Sequence, residues 1–249
     1  MSQVSDERLV EAAGHVTRAD FGFPGRPPVP PTAFSTVLDP HSLPIQPVHA
    51  IAVGDGHPVD LLVGSTSDEA NLYLAPTGAL RGVAEADIDA LARRFHLSPT
   101  QLAAAYRRDP ADGLPEILSR ATTDALFGAA TRHLRDAHAA YGRGKTYSYE
   151  FTWRSNAFDG TLGACHCLDL PWIFGTTDLP AISGPHALLG AHRPDPWRAQ
   201  RIHQAWLGFI RDGDPAGQNT AQRHRIAPPS RETAGCRRNG IRVGVPALA

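Results

Sequence analysis

The stretch Asp60-Leu-Leu-Val-Gly64-Ser-Thr-Ser-Asp68-Glu69-Ala-Asn71 decides how this chain is read. Its first five residues form a compact apolar run closed by glycine, which predicts a buried strand over 60–64. In open α/β sheets, functional groups collect beyond the carboxyl ends of strands, where loops converge on a crevice. Glu69 falls just past such an end. A carboxylate there can hold an imidazole in one tautomer and stabilise its protonated form. The same position also suits a helix cap, since acids such as Asp68 and Glu69 favour helix N-termini.

Working outward, the pattern alternates strands with helices. Upstream, Leu43 to Ala52 (LPIQPVHAIA) reads as a turn and a short helix. Downstream, Glu85 to Phe95 places Ile88, Leu91 and Ala92 on one helical face. Ser98-Pro99-Thr100-Gln101 carries a Ser N-cap, a Pro at the first helical position and a Gln able to close a capping box. A longer helix is predicted from about Thr123 to Tyr141, with Asp124 as its N-cap and Leu126, Phe127, Ala130, Leu134 and Ala137 as its apolar face. Thr146 to Trp153 (TYSYEFTW) is rich in β-branched and aromatic residues and predicts a second strand. A glycine-bearing loop and Leu170 to Phe174 (LPWIF) follow, and Pro196 to Arg211 reads as a helix with a stripe of Ile202, Trp206, Phe209 and Ile210. No internal repeat is visible, and the alternation specifies an α/β class.

The loop after the second strand holds the other candidate, His166, in Leu162-Gly-Ala-Cys-His166-Cys-Leu-Asp169. A general base suits such a loop, with apolar neighbours that exclude water. His166 is one of 12 histidines, so position alone also allows a structural role. Cys165-His166-Cys167 invites a zinc reading. Structural zinc, however, usually takes four ligands with Cys-x2-4-Cys pairs, and Cys236, the third cysteine, lies far downstream. Cys165 and Cys167 are expected to be small packing residues, and no metal or cofactor is expected.

Composition sets the remaining bounds. The 249 residues carry a formal net charge of −1, which gives no electrostatic reason to expect nucleic acid or a charged membrane as partner. The polar start and the lack of a long apolar run point to a cytoplasmic chain without a membrane span. Three cysteines argue against a disulfide framework. Lys145 is the only lysine; arginine supplies the rest of the basic charge. Residues 1–42, with the proline-rich FGFPGRPPVPP over 21–31, read as an arm or linker, 43–215 as the folded region, and 216–249 as a disordered or frame-shifted tail.

The segments LPIQPVHAIA, DLLVGSTSDEANLYLAPTG, TDALFGAATRHL, YSYEFTWRSNAFDGTLGACHCLDLPWIFG and QAWLGFIRDGDP resemble, in order, the C-terminal part of type B carboxylesterases. That family includes cholinesterases and para-nitrobenzyl esterases. The resemblance implies the C-terminal portion of an α/β-hydrolase fold, a partial sheet with several helices. Its G-x-x-x-D-E motif falls on Gly64 to Glu69 and its G-x-x-H segment on Gly163 to His166. It thereby implies that Glu69 and His166 are the acid and base of a Ser-Glu-His triad acting on carboxylic esters. Trp172 and Phe174 are candidates for the acyl pocket or for core packing.

The departures are equally specific. No G-x-S-x-G elbow and no HGGG-like oxyanion segment occurs in the 249 residues. The expectation is therefore a truncated esterase, inactive by itself, whose small-molecule ester substrate is met only with a complementary N-terminal hydrolase chain. The alternatives are a non-catalytic interaction protein of cholinesterase-like fold and one half of a split esterase.

Overall fold

The computed structural model describes residues 4–18, 37–54, 58–215 and 241–244. In chain order the elements are α1 (Asp6–Arg18), α2 (Pro47–Ala52), β1 (Leu61–Thr66), α3 (Asn71–Leu74), α4 (Glu85–Arg94), α5 (Pro99–Tyr106) and α6 (Leu114–Thr123). A π turn, Asp124–Gly128, leads into α7 (Ala129–Tyr141), followed by β2 (Thr146–Phe151), α8 (Leu170–Ile173), a 3-10 turn at Pro180–Ile182, α9 (Pro196–Asp212) and β3 (Ile241–Gly244). No helix among the described residues is long and apolar enough to cross a membrane.

Among the described residues the sheet runs in the order β1-β2-β3. β1 and β2 are parallel, with Leu61 opposite Thr146 and Thr66 opposite Phe151. A parallel pair needs a long crossover, and α3 to α7 supply it. β3 adds antiparallel to the other edge of β2, with Ile241 opposite Phe151. Within 216–249, where no regular structure is expected, these four residues form a strand; the rest of that tail, with Cys236, lies outside the described residues, as does FGFPGRPPVPP.

The core gathers where the crossover helices meet the strand ends. Ile88, Leu91 and Ala92 of α4, Leu102 of α5, Ile117, Leu118 and Ala121 of α6, and Phe151 of β2 are buried together with Leu162, Leu168, Trp172 and Leu189. Hydrophobic burial of this kind is the main favourable term in folding. At α5, Ser98 Oγ accepts from Gln101 N at 3.2 Å and Gln101 Oε1 accepts from Ser98 N at 2.8 Å, so the predicted capping box is present.

Four local readings need correction. β1 is half-buried rather than buried along Leu61–Ser65, since its outer edge meets no strand among the described residues. The long helix does not begin at Thr123: it continues α6 through the π turn, so Asp124 is an interior residue and not an N-cap. Its predicted apolar face is re-phased by that turn; Leu126 and Ala130 are exposed, while Gly128 and His138 are buried. On α9, Ile202 is buried, but Ile210 is 71% exposed.

Candidate functional site

Two loops build the site, one after each parallel strand. Thr66 ends β1, and the chain turns at Ser67-Asp68-Glu69 before the single turn of α3. Glu69 Oε1 accepts from Thr66 N at 2.6 Å, so the carboxylate folds back over the end of its own strand. It does not cap α3, whose N-cap position, Ala70, makes no side-chain bond. Glu69 Oε2 lies 2.6 Å from Nδ1 of His166, 97 residues onward. His166 N donates to Glu69 O at 3.2 Å, which brings the two backbones together as well. The structure thus joins the two candidates that the sequence places far apart.

Asp68 fastens the two loops. Its N–H donates to Ala164 O at 2.9 Å, and its Oδ2 accepts from Ala164 N at 2.9 Å and from Arg154 Nη1 at 2.7 Å. Gly163 makes this approach possible. It stands at φ 59°, and a Cβ there would lie 2.5 Å from Asp68 Oδ2. Only glycine accepts that conformation and that closeness without cost. Arg154 and Asp68 come from separate loops with no shared motif, so the pair is not readable from spacing alone.

Burial divides the dyad. The Glu69 side chain is 6% exposed and that of His166 is 33% exposed, so the acid is sealed and the imidazole reaches the surface. Aromatic rings flank the imidazole. Phe127 of the π turn stacks on it with centroids 4.6 Å apart, and Tyr73 of α3 lies at 6.1 Å. Burial, with lesser contributions from Cys167 and Glu69, holds the Tyr73 hydroxyl above its usual range. Periodicity places Phe127 on a helix's apolar face; its contact with His166 comes from the π turn, which periodicity does not reveal.

The flanking cysteines point to different surroundings. Cys165 is fully buried, and burial pushes its thiol up to about 12, so it stays protonated. Cys167 is half-buried, at φ 65°. Among the described residues no group of three or more His, Cys, Asp or Glu side chains gathers as a metal site would require. Trp172 is buried against Phe151 and Trp153, with ring centroids 5.5 and 5.1 Å away, and serves the core. Phe174 is 68% exposed at the end of α8.

The profile described as Carboxylesterase family matches residues 2–234. The phenmedipham hydrolase of Pseudarthrobacter oxydans is 30% identical over 199 residues, covering 74% of this chain and 36% of that protein. The para-nitrobenzyl esterase of Bacillus subtilis (strain 168) is 28% identical over 188 residues, covering 74% and 35%. Among solved structures, a Geobacillus stearothermophilus carboxylesterase superposes with a TM-score of 0.63 at 24% identity, over 88% of this chain and 42% of that one. A para-nitrobenzyl esterase structure gives a TM-score of 0.60 at 24% identity, over 86% and 41%. The fold is that of part of an α/β-hydrolase, and the chain spans about a third of the length of the curated relatives it matches.

Proposed function

The chain belongs to the carboxylesterase family, and from that premise we propose that Glu69 and His166 are the acid and base of a Ser-Glu-His ester hydrolase. Its nucleophilic serine is supplied by polypeptide outside these 249 residues. The observation that carries this reading is the 2.6 Å contact between Glu69 Oε2 and His166 Nδ1, made by a sealed acid and a partly exposed imidazole. The half-buried β1, with an outer edge that meets no strand among the described residues, supports it further as a place for additional strands to pair.

The chemistry follows from the roles of the two ring nitrogens. Glu69 binds Nδ1–H and leaves Nε2 as the basic nitrogen. Nε2 takes the serine proton as the oxygen attacks the ester carbonyl, and Glu69 stabilises the imidazolium that results. Collapse of the tetrahedral intermediate breaks the acyl–oxygen bond, and Nε2–H gives its proton to the departing alkoxide. A water then repeats the cycle on the acyl-serine, losing its proton to Nε2 and releasing the carboxylic acid. The net reaction consumes one ester and one water and yields one acid and one alcohol.

The test is a double-variant comparison in the chain reconstituted with a polypeptide bearing G-x-S-x-G. His166→Ala should lower kcat by about 10⁴-fold or more, and Glu69→Gln by a smaller factor. Because the two act as a unit, the double variant should be no worse than His166→Ala by itself. Multiplying losses would show that Glu69 acts elsewhere, and unchanged turnover in both single variants would remove the reading.

A further inference from the structure

From Leu114 to Tyr141 the chain is one uninterrupted helix whose middle, Asp124–Gly128, is wound as a π turn. π turns are rare, insert one extra residue into the helix and recur at functional sites. Here the distortion is held from three sides. Asp124 Oδ1 accepts from Arg132 Nη1 at 2.5 Å, and its Oδ2 accepts from Arg132 Nη2 and from Tyr106 Oη, each at 2.9 Å. Gly128 leaves room for that carboxylate, since a Cβ there would lie 2.5 Å from Asp124 Oδ1. Thr123, just before the turn, accepts from Ala70 N at 3.1 Å, the residue that follows Glu69. The π turn is therefore fastened to the acid loop at its start and presents Phe127 to His166, the rings stacked at 4.6 Å and 25°.

We infer that this π turn is a positioning device for the imidazole, with Phe127 holding the His166 ring in the orientation in which Nδ1 meets Glu69. The inference rests on the acid–base reading of that pair. Phe127 is a positioning residue, because it acts through His166 and not on the reacting atoms. An imidazole 33% exposed on a loop has Glu69 to fix one nitrogen, but one hydrogen bond does not fix the ring plane, and of the two flanking rings Phe127 at 4.6 Å is nearer than Tyr73 at 6.1 Å. A stacked face removes that freedom, and a helix interior is a stiffer support than a loop.

The experiment is proton NMR of the full 249-residue chain labelled with 15N-histidine, following the proton shared between His166 Nδ1 and Glu69. The wild type should show it far downfield, and Glu69→Gln should abolish it. Phe127→Leu should reduce its intensity by more than half, Phe127→Tyr should keep it, and Asp124→Ala, which removes the carboxylate bonded to Arg132 and Tyr106, should reduce it as Phe127→Leu does. Phe158→Leu, which removes a ring packed on His186, should leave it unchanged. A full-strength signal in folded Phe127→Leu would overturn the inference while leaving the Glu69–His166 pair intact. Should Phe127→Leu fail to fold, a full-strength signal in Asp124→Ala would overturn it, as would loss of the signal in a folded Phe127→Tyr. A wild type with no such proton would remove the pair itself and this inference with it.

Discussion

Gly163 and Cys165 lie three residues and one residue before His166, and each yields a prediction from its own surroundings. Placing a methyl at Gly163 forces a left-handed conformation on an L side chain and drives it into the Asp68 carboxylate. Gly163→Ala should cost about 2–4 kcal/mol, read as a lower midpoint in denaturant unfolding. A stability change under about 0.5 kcal/mol would mean the loop has room to relax. Cys165 is sealed, with its thiol pushed up to about 12 by burial, so iodoacetamide should label it only after unfolding. Peptide mapping that finds native Cys165 labelled as fast as Cys167 would contradict the packing described. Glu69 and His166 stand out as candidates at this scale because each falls on a short motif of the family beyond a predicted strand; their contact appears only in the fold. Asp68, Arg154 and Ala164 were not legible as a clamp, because their contacts join positions 86 and 96 residues apart.

Among the elements, α5 was the most readable, and its N-terminus shows why. Ser98, Pro99 and Gln101 satisfy the helix end locally, with no help from the rest of the molecule. Ser98→Ala should cost about 1 kcal/mol, measured by thermal unfolding, and no loss would mean solvent replaces the cap fully. The α6-to-α7 helix was the least readable. Its π turn is fixed by Tyr106 and Arg132, contacts that lie outside the local apolar pattern used to predict it. The hydrogen bond from Arg132 is the largest influence holding the Asp124 carboxyl below its usual range, with Tyr106 adding to it and burial opposing. Asp112, bonded to Arg120, is also held well below that range. For a depressed carboxyl the stabilisation is present above the unfolded value and lost as pH falls through the folded one. The melting temperature should therefore drop as pH is lowered from about 4, the ordinary aspartate value. Asp124→Asn should flatten that drop; an equally steep fall in the variant would detach the π turn from acid sensitivity.

For the molecule as a whole, the α/β class was legible from the alternation of strand and helix patterns, and the family from the order of its motifs. The pairing of β3 with β2 was not, because Ile241–Gly244 lies in a stretch without apolar periodicity. At this scale stands the proposal that Glu69 and His166 act as acid and base toward a nucleophile supplied by other polypeptide. The most direct test is hydrolysis of a chromogenic short-chain ester by the purified chain, by the chain reconstituted with a G-x-S-x-G polypeptide, and by the His166→Ala form of each. The account predicts turnover only in the reconstituted wild type, with the isolated chain no faster than its variant. His166-dependent hydrolysis by the isolated chain, or equal rates in the reconstituted wild type and variant, would contradict it.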